Sequence, residues 1–388
     1  MGLPAFSSIA KRDSRIDVVR AIALLSIFIN HIPGTIYEWI THKHFGFSDC
    51  TEIFVLLSGM AVGLAYGHHF QASKRLHTSY KLIKRALQLY NAHILTGLIS
   101  LGLFLAFGLL CHRPSLLSVN NIEPIIQNPA AALLGFITLG HQLGYNNILP
   151  LYMVLMAASP LFLGLYQKSP SFLFIASLAT YILSAIFYLA PPTYPVAGVW
   201  FLNPLSWQFL FVIGLIASLQ QQKEQRLPYH PALLFAALGY LLVSLLWVRL
   251  NWWSINLHFE PLGHLTTFNK TFLGLPRLLH ILALSYCVAI IKPLNQLFAL
   301  SPQSMLATLG RHSLPVFAFG TILSQLGQIL KKIIGFNSIE DGVFIIICIG
   351  LQVLLAFGIE WIGMLEASRK KHASAPHQRF TKNHPAQI

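Results

Sequence analysis

Residues 18–34 read VVRAIALLSIFINHIPG, an apolar run of membrane-spanning length that nevertheless carries Arg20 and His31. A bilayer disfavours an Arg at helix centre by about 2.5–3.5 kcal/mol on insertion scales. Two ionisable side chains on one apolar helix therefore predict a helix enclosed by others, with both groups facing the interior of a bundle. Eleven residues separate them, about 16 Å along a helix axis, or about half of a roughly 30 Å hydrocarbon layer. Arg20 is expected near one membrane face and His31 in the opposite half. A catalyst that moves a group across a membrane needs such a layout.

Around this run the 388-residue chain is 55% hydrophobic and only 10% charged, with a mean hydropathy of +0.62. Soluble domains carry about 25% charged residues, so a soluble fold is excluded. Apolar stretches recur near 18–36, 50–67, 86–111, 146–166, 171–190, 205–220, 232–250, 277–291, 313–334 and 343–365. They predict an all-α, polytopic integral membrane bundle of about ten transmembrane helices. Those near 50–67, 205–220 and 277–291 are short and carry polar residues, which predicts that other helices enclose them. The stretch 130–140 reads as a re-entrant or surface helix.

The formal charge of +14 does not imply nucleic acid, because the basic residues sit in short loops between apolar spans. With the N-terminus inside, most of the 26 Lys and Arg residues collect on the cytoplasmic side. The outer exceptions are Lys43, Arg113, Arg249, Lys270, Arg277, Lys331 and Lys332, the last two flanked by Glu340 and Asp341. Both termini are then cytoplasmic. Residues 1–366 form one transmembrane domain, and 367–388 form a basic tail expected to be disordered. The start Lys11-Arg12-Asp13-Ser14-Arg15 has no A-x-A-like site after it, so no cleavable signal peptide is expected. Cys50, Cys111, Cys287 and Cys348 show neither CxxC nor Cys/His metal spacing, so free thiols and no metal are expected.

Two neighbouring helix ends carry the strongest chemical constellation. The first helix ends at Asn30-His31-Ile32-Pro33-Gly34, and a short outer loop leads to Asp49-Cys50-Thr51-Glu52. His31 is thereby expected beside Asp49 or Glu52. A carboxylate-oriented His is a general base for a hydroxyl, contributing about 10²–10⁴-fold. Asp49-x-x-Glu52 also has capping-box spacing, a role compatible with one carboxylate facing the His. Arg20 reads either as an interior group or as a snorkelling interfacial Arg. Lys81, Lys84 and Arg85 form a basic inner mouth suited to phosphates, although a positive-inside loop explains them equally. Other polar residues within apolar runs are Tyr90, Asn91, His93, Tyr152, Trp207, Gln208, Arg277, His280 and Arg311. Outer aromatics and His residues, among them Trp200, Trp252, Trp253, His258 and His264, suit either a sugar platform or an interfacial belt.

These blocks resemble the OpgC proteins, integral-membrane succinyltransferases that act on osmoregulated periplasmic glucans. The likeness runs from Arg12-Asp13-Ser14-Arg15-Ile16-Asp17 through Asn30-His31-Ile32-Pro33-Gly34 and Phe45-Gly46-Phe47-Ser48-Asp49. It continues at Leu149-Pro150-Leu151-Tyr152, Asn203-Pro204-Leu205-Ser206-Trp207-Gln208, Pro261-Leu262-Gly263-His264, Arg277-Leu278-Leu279-His280 and Gly310-Arg311-His312-Ser313. The Arg20-to-His31 spacing is similar to the Arg/His signature of the broader acyltransferase-three superfamily, in which the His is taken as the base. Two positions depart from the pattern: Ala21 stands where Gly is expected, and Asn269 where Asp is usual.

The resemblance implies a bacterial inner-membrane O-acyltransferase with acyl-CoA, most simply succinyl-CoA, as cytoplasmic co-substrate and a periplasmic glucan as acceptor. Catalysis is then expected from His31, Asp49 and Glu52. Donor contacts are expected at Arg20, Lys81, Lys84, Arg85, Tyr90 and Arg311. Acceptor contacts are expected at Tyr152, Trp207, Gln208, His264, Arg277 and His280. Asn30, Ser58 and Tyr152 are the candidate oxyanion donors. Membrane lipids are the other partners, and a homodimer is compatible with the sequence. Two rival readings remain open: transfer to another envelope polysaccharide or lipid-linked sugar, and proton-coupled transport relayed by His31 and Glu52. Transport predicts inverted repeats with paired broken helices, which the sequence does not display.

Overall fold

A computed structural model describes residues 13–223 and 227–373. The N-terminal residues through Arg12, the loop position Arg226 and the tail from residue 374 lie outside the described residues. Each apolar stretch forms a long helix. These are α1 (Ser14–Asn30), α2 (Cys50–Tyr66), α3 (Arg75–Leu110), α6 (Ile148–Lys168), α7 (Pro170–Ile186), α8 (Pro204–Gln222), α9 (Pro231–Arg249), α10 (Leu275–Ile290), α13 (Ser313–Ile334) and α14 (Ser338–Ala373). Short helices α4 (Glu123–Gln127), α5 (Pro129–Ile137), α11 (Lys292–Leu297) and α12 (Met305–Arg311) fill the connections, α5 matching the expected surface segment. The described residues form no β-strand, only a bridge between Pro192 and Val199.

Five of these segments are long and apolar enough to cross a membrane: Ala72–Leu110, Gly144–Lys168, Pro231–Arg249, Ser313–Ile334 and Ser338–Arg369. Helices α2, α7 and α10 are shorter but apolar. Helix α9 buries only Ala237 and Ser244, so its apolar surface is almost all outward-facing. Helix α8 is the opposite, with Trp207 through Val212 all buried, as its polar residues predicted.

Small residues bring α2 and α8 together. Gly59 and Gly63 lie one turn apart on α2, and a Cβ on Gly59 would fall 1.9 Å from the Phe211 carbonyl oxygen. Gly214 presents the reciprocal bare backbone, 2.2 Å from the Leu56 carbonyl oxygen by the same measure. Close small-residue contact is how apolar helices associate where water does not drive them together. Helix α1 packs against α2, α12 and α13, and Arg20 is only 8% exposed. Enclosure of the first helix is therefore observed.

The expected domain end moves. Helix α14 continues through Ala373, past the boundary placed at 366. Its last turns contain Glu366, Ala367, Arg369, Lys370 and Lys371, good helix formers whose charge reads as tail. All four cysteines are free. Lys331, the awkward outer charge, pairs with the buried Asp341 at 2.7 Å.

Candidate active site

Helix α1 stops at His31, whose N–H still donates to the carbonyls of Ile27 (3.0 Å) and Phe28 (3.2 Å). Pro33 and the left-handed Gly34 (φ +79°) then turn the chain away. The His31 carbonyl accepts a 2.6 Å hydrogen bond from Gln328 Nε2 on α13. Its ring stacks on Tyr145, with centroids 4.3 Å apart and an interplanar angle of 20°. The first contact anchors the backbone at His31, and the second orients the ring. Nδ1 is buried and has no hydrogen-bond partner.

The carboxylates expected to brace His31 are engaged elsewhere, which corrects that part of the reading. Asp49 caps α2, accepting from Thr51 N at 2.8 Å, while Glu52 Oε2 accepts from Asp49 N at 2.9 Å; the capping box is complete. Arg277 Nε then donates to Glu52 Oε1 at 2.7 Å, and its Nη2 lies 3.0 Å from Asp49 Oδ2. Lys270 Nζ reaches the same Asp49 oxygen at 2.5 Å. The reason is topological. The N-terminus of α2 faces α10 and the loop before it, whose two cations neutralise two carboxylates in a largely dry site. This cluster is a staple of four charges with no net excess.

Beside it, Ser48 Oγ joins His280 Nδ1 (2.7 Å) to His42 Nε2 (3.0 Å). The Ser48 N–H also points to His280 Nδ1, at 3.3 Å. His280 Nδ1 is thus the acceptor, so Ser48 Oγ donates to it and accepts from His42. Burial pushes the His42 imidazole down to about 4, which keeps the relay neutral.

A cavity of about 160 Å³ opens around Arg20. Arg20 and Arg85 provide its positive charge, Ser58, Tyr152 and Ser313 line it, and Phe54, Leu149 and Phe317 form apolar walls. Arg20 has two long contacts, to Asp17 Oδ1 and the Leu57 carbonyl, both 3.4 Å. Its five donors are far from saturated by those. A second, smaller void of about 10 Å³ lies further along α1, bounded by Leu24, Ile27, His31, Thr321 and Gln352. Phe317 borders both spaces. Its ring, 6.4 Å from that of Phe54, stands between the arginine-lined cavity and His31.

Several expected contacts lie elsewhere. Tyr152 was assigned to the acceptor but lines the Arg20 cavity. Lys81 and Lys84 are exposed on α3. Tyr90 turns outward and donates to the Ile137 carbonyl at 3.0 Å. Arg311 pairs with Glu360 on α14 at 3.0 Å. Trp207 Nε1 donates to the Lys270 carbonyl at 3.0 Å, holding the loop that carries Lys270. Gln208 is tied to Ser177 through both its amide atoms. His264 stacks on Phe272 at 4.9 Å. Among the oxyanion candidates, Asn30 Oδ1 accepts from Thr41 at 2.7 Å and Ser58 donates to the Phe54 carbonyl. Asn269 Oδ1 accepts from Phe272 N at 3.1 Å, a turn role an Asp performs equally. Lys270, Tyr145, Phe317 and Gln328 were not singled out by sequence reasoning. The described residues contain no group of His, Cys, Asp and Glu able to hold a metal ion.

No curated protein and no solved structure matches the chain. A family model described as OpgC protein matches residues 12–364, spanning α1, both carboxylates, the cation cluster and most of α14, and the chain accordingly belongs to the OpgC family.

Proposed function

We propose that the protein is a transmembrane O-acyltransferase that moves an acyl group from cytoplasmic acyl-CoA to a hydroxyl of a periplasmic glucan. Family membership implies an acyltransferase-type enzyme, and succinyl is the acyl group the OpgC resemblance favours. The observation that carries the reading is the pairing of spaces along α1. The cavity combines the positive charge of Arg20 and Arg85 with apolar walls, suited to CoA phosphates followed by a pantetheine arm. His31, at the end of the α1 helix that carries Arg20, lies beyond Phe317 of α13. The ten long helices are then all membrane-embedded, with the Arg20 end and both termini in the cytoplasm.

The reaction needs one proton carrier. His31 takes the proton of the sugar hydroxyl, and the oxygen attacks the thioester carbonyl. The C–O bond forms, the C–S bond breaks, and the CoA thiolate leaves with the proton relayed from His31. Tyr145 holds the imidazole by stacking, and Gln328 holds the backbone that carries it. Asp49 and Glu52 support the site by fixing the start of α2 rather than by binding the ring. The thioester reaches His31 when the Phe317 side chain swings aside, joining the two spaces.

Transfer is measured in sealed vesicles holding the protein, with labelled succinyl-CoA on one side and glucan on the other. Label is expected to appear as a glucan ester only when His31 is present. Full transfer by a folded His31→Ala protein overturns the base assignment. Absence of transfer to glucan, with transfer to a lipid-linked sugar instead, replaces the acceptor and keeps the chemistry. Thermal stabilisation by CoA separates the enzyme from a proton-coupled carrier, which has no reason to bind it.

A further inference from the structure

The imidazole supplies a base, but acyl transfer also builds negative charge on the carbonyl oxygen, and a donor for it has to be found. Helix α13 offers one. Leu314, Phe317, Thr321, Gln325 and Gln328 recur at spacings of three and four residues, so they form one stripe on that helix. Leu314 and Phe317 border the Arg20 cavity, and Phe317 and Thr321 border the void beside His31. Gln328 at the far end of the stripe holds the His31 carbonyl. Gln325 therefore sits one turn from the residue bordering the His31 void and one turn from the residue bonded to His31.

Gln325 is 1% exposed, and both Oε1 and Nε2 lack a hydrogen-bond partner. Leaving a buried polar group unmatched costs about 1–3 kcal/mol, so such an amide is retained for a reason. His31 Nδ1 is likewise a buried polar atom with no partner. The void of about 10 Å³ beside His31 is bordered by Gln352 and by Thr321, one turn before Gln325, and is at the lower limit for one water. A ligand that brings both a hydroxyl and a carbonyl satisfies both groups at once.

We infer that Gln325 is a catalytic residue of this acyl transfer, its Nε2–H donating to the thioester carbonyl oxygen while His31 takes the hydroxyl proton. The inference rests on the acyltransferase reading above and goes beyond it by assigning the oxyanion donor. Amide Nε2–H is a neutral donor, so it stabilises the developing alkoxide without trapping the carboxylate end of a succinyl group.

The test compares wild type with Gln325→Leu and Gln325→Met in vesicles, reading kcat, KM for succinyl-CoA, the pH profile of kcat and Tm. Gln325→Leu is expected to lower kcat by about 10²–10³-fold, with KM and the pH profile unchanged. Its Tm is expected to hold or rise, since an unmatched buried amide has been removed. Gln325→Met, similar in length but lacking the N–H pair, is expected to be as inactive, which keeps the test valid if Leu disturbs packing. Wild-type kcat in either folded variant overturns the inference while leaving the His31 reading intact. A shifted pH profile overturns it in favour of a residue that orients His31. A wild-type protein that transfers no acyl group under any of these conditions overturns both.

Discussion

This bundle holds two polar neighbourhoods of opposite character. Around the start of α2, Asp49, Glu52, Lys270 and Arg277 neutralise one another, and Ser48 links His42 to His280. Between α1 and α13, by contrast, His31 Nδ1 and the whole Gln325 amide are buried without partners, and among the described residues Arg20 makes only long hydrogen bonds. A saturated cluster has its free energy invested in holding helices together. An unsaturated one has its capacity in reserve for a ligand. Residue type does not distinguish the two, since both contain His and charge. Partner geometry does.

The sharpest test of that division is His31→Ala. It is expected to lower kcat by about 10²–10⁴-fold with Tm nearly unchanged, because the ring's Nδ1 bonds to nothing in the folded protein. Arg277→Met is expected to behave in the reverse sense. It leaves Glu52, 0% exposed, buried without its cation, and breaking such a pair costs about 3–5 kcal/mol of stability. The double variant Arg277→Met with Glu52→Gln is expected to recover most of that loss. If the double variant is stable but its KM for glucan rises tenfold or more, Arg277 grips the acceptor and the cluster is not simply structural.

Much of this was legible in the sequence, and the failures have a common origin. The ten helices followed from apolar runs, and the α2 cap from Asp49-x-x-Glu52, because both are local patterns. The partners of those carboxylates were not legible, because Arg277 and Lys270 lie more than two hundred residues away and only packing brings them near. Tyr152 illustrates the same limit: its helix was foreseen, but not that its ring would line the Arg20 cavity. Gln325 was missed although a signal existed. A polar stripe inside an apolar helix is as unusual as Arg20 on α1, and reading α13 at a period of three to four residues exposes it.

Ser48→Ala probes the saturated cluster at smaller scale. It removes one hydroxyl between two imidazoles, and a loss of about 1 kcal/mol is expected, with kcat unaffected. The same relay gives a pH signature. His42 titrates near 4 in the fold against 6.5 when unfolded. The unfolded chain therefore binds a proton that the folded chain refuses, and stability is expected to fall as pH drops from about 6.5 to about 4. His42→Gln is expected to flatten that fall, measured as Tm against pH. An unchanged slope assigns the acid sensitivity to other groups.

The smallest effect is expected beside the Arg20 cavity, on the α3 residues around Arg85. Lys84 is exposed and Arg85 half-buried on neighbouring positions of α3, yet only Arg85 borders the cavity. An exposed ammonium interacts with CoA phosphates through water, within a Debye length of about 10 Å at 0.1 M salt. Lys84→Ala is therefore expected to raise KM for acyl-CoA no more than a few-fold at low salt, and not at all at high salt, with kcat constant. Arg85→Ala is expected to raise KM at both salt concentrations, because a partly enclosed guanidinium is screened less. Equal salt dependence in the two variants places the phosphates outside the cavity, in the loop field, and leaves Arg20 to the acyl end of the donor.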